Sequence, residues 1–285
     1  MYAYLLLNKT GDCTLGDYEF TMNDHGLKAS VEKSNCEKPK MIIPGTGKVY
    51  EVLQFHIHTG CENKFNNTGC DAELHLVHIA KTDIALPAAT TSADLPDLAV
   101  LGLMMYGVDE KHASVDALID SWSEVSCRNQ KCMTVSDELK SQKFSPYSLI
   151  PSGTSIYNFQ GSLTTPPCWE VVTWNVAEKP IKMSFKQVLA ITNLINKYSG
   201  YRAEDGSCVA DSTVADDAGI TSRDVQPLNG RQIVKNCEPL TVMSDFPAAA
   251  QEQSPMTASS ESSAQILSIK NIFGVVSVLA SIVLF

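Results

Sequence analysis

No run of basic residues interrupts this chain, whose 22 Lys and Arg are outnumbered by 32 Asp and Glu for a formal charge of −10. A surface so acidic repels phosphate backbones, which argues against nucleic acid as a partner. No two of the nine cysteines stand in a C-x-x-C spacing, so the usual metal-knuckle and thioredoxin-like readings fall away. Cysteines in that number without such a spacing fit an oxidising compartment, and an odd count leaves at least one unpaired within the chain. Met1–Leu7 lacks the basic start and the small-residue cleavage site of a secretory leader. The apolar run at the other end, Ile272–Phe285, is 14 residues long, short of the roughly 20 that a spanning helix needs. There is no internal repeat and no linker-like stretch before Asp245. Aromatic residues are only 7% of the 285, yet hydrophobic residues reach 44% and charged ones 19%, which suffices for a sizeable core.

The chain divides into a single domain over 1–244, a polar low-complexity linker over 245–265 and an apolar tail over 266–285. Small and polar residues from Pro247 to Gln265, then a polar spacer and an apolar end, follow the order of a GPI-anchor signal, with cleavage expected near Ser259–Ser263. A tail-anchored helix from Ile266, carrying Lys270 and Asn271, is the alternative. The glycosylation sequons Asn8-Lys9-Thr10 and Asn66-Asn67-Thr68 agree with secretion. The expected location is therefore the cell surface, with the membrane contacted through the C-terminal anchor. Such a protein needs a leader, so either entry is unconventional or the chain begins late; the odd cysteine favours a truncated or mispredicted start.

Short alternating or apolar segments bounded by turn residues predict strands over Tyr18–Met22, Lys48–His58, Ala72–Ala80, Ala99–Tyr106 and Glu170–Val176. Two segments have helical spacing: Val115, Leu118, Ile119, Trp122 and Val125 in one, and Phe185, Val188, Leu189, Thr192 and Ile195 in the other. Both read as amphipathic cover for a sheet.

Four of the six histidines lie in Gln54–His78, QFHIHTGCENKFNNTGCDAELHLVH. The strand period of two puts Gln54, His56 and His58 on one face, and Glu73, His75 and Val77 on one face of the next strand. If the two strands pair, three neutral imidazoles converge into a tetrahedral zinc site with an open fourth position, the arrangement of catalytic rather than structural zinc. Gln54 and Glu73 each precede a proposed ligand by two residues on the same face, where they can take the outward ring N–H and fix its tautomer. His78, of opposite parity, is expected in the core with a hydrogen-bonded partner. A further motif, Gly161–Pro167 (GSLTTPP), is by itself only a restricted loop.

QFHIH, ENKFNNTGCDAELHLVH, GSLTTPP, VVTW (Val171–Trp174) and QPLNGRQI (Gln226–Ile233), in this order, resemble the α-class carbonic anhydrases from about residue 18 to about residue 240. The resemblance implies a mainly β (α+β) fold, a large, mostly antiparallel twisted central sheet with peripheral helices. It implies zinc on His56, His58 and His75, and reversible hydration of CO₂ to bicarbonate and a proton by a zinc-held hydroxide, with ester hydrolysis as a side activity. Ionisation of such a water near neutral pH is a known property of carbonic anhydrases. Thr164 matches the family's gatekeeping threonine and Glu62 the carboxylate that accepts its proton, so that Thr164 orients the nucleophile. Thr165 matches a substrate-contact position, and Val77, Leu163, Val172 and Trp174 match the apolar pocket for CO₂. His25 is the expected proton shuttle, although Asp24 precedes it where the family has glycine. A catalytically silent surface-binding protein on the same scaffold is the competing reading.

Other departures are Asn63, where a histidine is usual, Thr59 in place of tryptophan, and a missing N-terminal segment with a QSPI-like motif. Cys168 resembles the cysteine that secreted members bridge to that segment. Local pairing of the other eight would give Cys13–Cys36, Cys61–Cys70, Cys127–Cys132 and Cys208–Cys237, with Cys61–Cys70 and Cys127–Cys132 first because their loops are short, although spacing alone does not fix connectivity.

Overall fold

Alternation of buried and outward residues organises the chain around a sheet. The computed structural model describes residues 6–8, 11–23, 26–43, 48–80, 97–125, 135–197, 200–202, 208–210, 220–236 and 240–243. Its strands are β1 (Leu6–Asn8), β2 (Glu19–Asn23), β3 (Gly26–Ser30), β4 (Lys40–Ile42), β5 (Val49–Thr59), β6 (Ala72–Ala80), β7 (Leu98–Val108), β8 (Ile156–Gly161), β9 (Val172–Ala177), β10 (Ile181–Ser184), β11 (Gly200–Arg202), β12 (Cys208–Ala210), β13 (Val234–Lys235) and β14 (Thr241–Met243). The helices are α1 (Ala113–Val125), α2 (Asp137–Lys140) and α3 (Phe185–Lys197). The five strands expected from alternation are thus found as β2, β5, β6, β7 and β9.

Twelve strands form one sheet in the order β13-β8-β9-β7-β6-β5-β4-β1-β14, with β10 added on β7, β3 on β5 and β2 on β3; β11 and β12 pair separately. Pairing is antiparallel except for β7 with β9, β7 with β10 and β1 with β14. This is the large, mostly antiparallel sheet with few helices that the motifs imply.

The strand β5 is continuous, but its register is not. Tyr50 pairs with Ala80 and Val52 with His78, and then Gln54 pairs with Val77, so Leu53 is bulged out. Before the bulge the even-numbered Tyr50 and Val52 are buried in the main core; after it the odd-numbered Phe55 and Ile57 take that face. Gln54, His56 and His58 are thereby turned to the other side of the sheet.

The main core lies on the helix side. Trp122 of α1 meets Phe20 and Phe55 edge-on at 5.4 and 6.0 Å, and its indole N–H donates to the Lys28 carbonyl at 2.9 Å. Each such fully buried aromatic contributes about 1.5–3 kcal/mol by leaving water, and the indole donor is satisfied as burial requires. A smaller apolar cluster, Val77, Leu98, Val100, Val172, Trp174 and Val176, covers the opposite side of the sheet beside the histidines.

The expected inward face of α3 needs correction. Phe185 and Leu189 are 62% and 59% exposed, and the buried residues are Ile191, Leu194 and Ile195. The helix is rotated because Gln187 turns inward: its amide oxygen accepts from the backbone N–H groups of His112 and Ser184, and its nitrogen donates to the His112 carbonyl and the Asp116 carboxylate. A polar side chain with all its partners supplied can occupy the buried face, and hydrophobic spacing does not reveal it.

Two of the expected disulfides are present, Cys13–Cys36 and Cys61–Cys70. Cys168 is a free thiol among the described residues. Cys127, Cys132 and Cys237 lie outside the described residues, and so do the two pairings that involve them. No helix among the described residues is long and apolar enough to cross a membrane.

Candidate metal centre

The pairing of β5 with β6 places His56 directly opposite His75, and His58 opposite Glu73. Directly opposed residues of an antiparallel pair project to the same side. His56, His58 and His75 accordingly form a cluster in which one nitrogen of each ring lies within 4.8 Å of the others. The rings meet edge to face with centroids 4.8–5.2 Å apart.

Two of the three rings are oriented by their neighbours two residues back. Nδ1–H of His56 donates to Oε1 of Gln54 at 2.9 Å, and Nε2–H of His75 donates to Oε1 of Glu73 at 3.0 Å. Glu73 is wholly buried and takes three more hydrogen bonds: from the backbone N–H groups of Glu62 (2.8 Å) and Asn63 (2.9 Å), and from the Asn63 side-chain amide (2.6 Å). Burial alone would raise its carboxyl pKa, but the bonds from His75 and Asn63 outweigh it and hold the group below its usual range. Burial likewise disfavours a charged His75, yet the Glu73 carboxylate outweighs it and raises the imidazole.

These contacts test whether a metal fits. With acceptors at Nδ1 of His56 and Nε2 of His75, each ring carries its proton on the outward nitrogen. The inward nitrogens, Nε2 of His56 and Nδ1 of His75, are then lone pairs only 3.2 Å apart. Oε2 of Glu62, buried and without a hydrogen bond, adds an acceptor 3.8 Å from Nδ1 of His75 and 3.9 Å from Nε2 of His58. Acceptors gathered on one point repel one another unless a cation stands among them, and three imidazole nitrogens suit zinc.

The remaining predicted residues distribute as follows. Trp174 packs edge-on against His75, centroids 4.9 Å apart, and donates its indole N–H to the Ser162 carbonyl at 3.0 Å. Val77 and Val172 belong with it to the smaller apolar cluster, and Leu163 packs against that cluster. Thr164, Glu62 and Trp174 line a cavity of about 550 Å³. The expected hydrogen bond from Thr164 to Glu62 is not formed. Oε1 of Glu62 instead accepts from the Arg223 N–H at 2.9 Å, which turns Oε2 toward the histidines. Thr165 is half-buried and its carbonyl accepts the Cys168 N–H at 2.9 Å. His25 lies outside the described residues. His78 is buried on the core side, where its Nε2 pairs with the Tyr147 hydroxyl at 2.8 Å.

Sequence reasoning missed three contributors. Asn63, which stands where the family usually has a histidine, supplies two of the donors on Glu73. Arg223 acts through its backbone N–H, which has no side-chain signature. Lys28 stands opposite His56 in β3 and is 8% exposed, and burial pulls its ammonium down to about 8. Its parity relative to the apolar Leu27 and Ala29 was the available signal.

An open, mostly antiparallel sheet whose adjacent central strands gather three imidazoles beside an apolar wall defines a large β-sheet scaffold with a candidate metal centre on one face. The model of the eukaryotic-type carbonic anhydrases matches residues 7–237, and the chain belongs to that family. Mitochondrial carbonic anhydrase 5A of Rattus norvegicus is 30% identical over 206 residues, 70% of this chain; the chain spans about 60% of that relative's length. Among solved structures, the α-carbonic anhydrase of Photobacterium profundum superposes with a TM-score of 0.56 at 25% identity, covering 82% of each chain. A hyperthermostable carbonic anhydrase identified from a hydrothermal vent chimney gives 0.55 at 26% identity, covering 81% of this chain and 79% of its own.

Proposed function

We infer that this chain catalyses the reversible hydration of CO₂ to bicarbonate and a proton, with zinc held by His56, His58 and His75. The observation that carries the reading is the pair of inward imidazole lone pairs 3.2 Å apart, set by Gln54 and Glu73, in a member of the carbonic anhydrase family. Zinc bound there supplies a Lewis acid that makes water a nucleophile near neutral pH, as is known for carbonic anhydrases. Gln54 and Glu73 hold the ligand tautomers and raise ligand basicity. The apolar wall of Val77, Leu163, Val172 and Trp174 suits a neutral gas that offers no hydrogen-bond donor, and it favours release of the charged product.

Thr164 orients the nucleophile. A hydroxyl can donate one proton and accept others, whereas a carboxylate only accepts. Oε2 of Glu62 is a buried acceptor with no other hydrogen bond, so Thr164 can give it its proton and present lone pairs to the nucleophile. Thr165 flanks the substrate, and the His25 imidazole carries the released proton outward. Esters are expected as side substrates. A silent binding scaffold would have no use for a buried carboxylate oxygen left without a hydrogen bond beside three clustered imidazoles.

Stopped-flow CO₂ hydration with zinc content measured on the same sample tests the reading. The wild-type chain should hold one zinc and be active. Thr164→Val should keep the zinc and lose about a hundredfold in kcat/KM, the usual scale for one positioned hydrogen bond in a site. A folded, zinc-loaded but inactive wild type would instead support the scaffold reading.

The cell-surface location is part of the same proposal. It is supported by the disulfides, the sequons and the order of residues 247–285. A phosphatidylinositol-specific phospholipase C should release the protein from expressing cells; retention on the membrane after treatment would favour a helix from Ile266.

A further inference from the structure

The loop between β5 and β6 contains a disulfide that the chemistry above leaves unused. We propose that the Cys61–Cys70 bond is a positioning element of the metal centre, holding the loop whose N–H groups orient Glu73 and, through Glu73, His75. The inference rests on the zinc reading given above.

Three of the four hydrogen bonds on Glu73 come from Glu62 and Asn63, the two residues that follow Cys61. The fourth is the His75 ring itself, at 3.0 Å. The chain leaves β5 at Gly60 with a positive φ of 80°, a conformation natural to glycine, and enters the loop at once. Cys70 stands at the other end of the loop, next to Asp71, whose carbonyl accepts the Gly60 N–H at 3.0 Å and whose own N–H donates to Met105 at 3.1 Å. The disulfide therefore ties the start of the loop to the edge of β6, nine residues on. Without it, the described backbone hydrogen bonds that close the loop are the Gly60–Asp71 contact and the Thr68–Phe65 turn at 2.9 Å.

Glu73 is wholly buried, so its carboxylate has no water to replace a lost amide donor. A carboxylate released from its loop donors would draw on the nearest remaining one, the His75 ring, and pull it out of line with the metal. Groups that orient metal ligands in this way are typically worth about 10- to 100-fold in affinity. The other disulfide, Cys13–Cys36, joins the segment between β1 and β2 to the segment between β3 and β4, outside this loop, and serves as the internal control.

The experiment uses the full chain. Zinc affinity is measured at pH 7.5 by competition with a chromophoric chelator, for the wild type, Cys61→Ser/Cys70→Ser and Cys13→Ser/Cys36→Ser, with a melting temperature for each. Both double variants should melt lower. Only the Cys61/Cys70 variant should bind zinc about 10- to 100-fold more weakly while folded. A merely structural bond would lower its melting temperature and leave the affinity of the folded protein unchanged, which would overturn the proposal. Asn63→Ala, which keeps the disulfide and removes one donor from Glu73, covers the case in which the double variant does not fold. It should loosen zinc several-fold, and a wild-type affinity there would equally overturn the proposal. A wild type that binds no zinc would sink the zinc reading, and the inference with it; a wild type that binds alongside an unaffected variant would sink only the inference.

Discussion

A His75→Ala chain is expected to be recovered folded and without zinc, and to hydrate CO₂ no faster than buffer. Two effects add at this position. The site loses one of three nitrogens, and the two left, on His56 and His58, come from a single strand and cannot close a tetrahedral face. Glu73 also loses the imidazole that satisfies one of its oxygens and keeps a buried carboxylate facing an empty space. Hydration should fall by roughly three orders of magnitude or more, because nothing then ionises water near neutral pH. Glu73→Gln separates the two effects. It leaves all three ligands in place but replaces an acceptor-only carboxylate with an amide, and it should weaken zinc about 10- to 100-fold with residual activity when zinc is in excess. Metal analysis and stopped-flow rates on the same samples check both. A His75→Ala protein that retains stoichiometric zinc would remove this histidine from the ligand set.

The second large effect is on stability rather than activity. Between pH 7.5 and pH 4.5 the protein should lose about 2–3 kcal/mol through His78 alone. Burial pushes this imidazole from its ordinary 6.5 down to about 4, even though the Ala99 and Leu76 backbone contacts oppose the shift. The unfolded chain takes up a proton as the pH falls through about 6.5, whereas the folded one stays neutral until about 4. The contribution is therefore present in full above 6.5, declines between the two values and is gone below the lower one. His75 titrates in the opposite sense and Glu73 beside it, so the comparison is made between metal-free wild type and metal-free His78→Gln. Terms common to the two chains then cancel. Urea unfolding at the two pH values should show the wild type losing about 2–3 kcal/mol more than the variant; parallel losses would show that His78 is not the acid-sensitive group.

Much of the centre could be read from parity. His56 and His58 two residues apart, His75 on the next strand and an acceptor two residues before a ligand on each strand define the cluster without any knowledge of tertiary structure. What could not be read was supplied by the backbone. The Arg223 N–H reaches Glu62 from 161 residues away, and the Glu62 N–H serves Glu73; any residue but proline could have provided either donor. The α3 helix shows the same limit from the other side. Its apolar spacing named Phe185 and Leu189 as inward, but Gln187 was pulled in by His112 and Asp116, and the helix turned with it. The short strands β4 and β10 also escaped notice, because segments of three and four residues hold too few alternations to stand out from loops.

The bulge at Leu53 bears on how this gene can vary. It acts as a phase shifter: one extra residue lets the first half of β5 feed the core with even positions and the second half present imidazoles at even positions on the opposite side. Deleting that residue would leave composition and hydrophobicity almost unchanged. It would close the ladder, with Val52 opposite His78 and Gln54 next along opposite Val77, and would leave Phe55 and Ile57 in the core and the histidines on the other side. An added residue between Gln54 and His58, by contrast, would turn the positions beyond it to the wrong face, a change that a substitution scan does not sample.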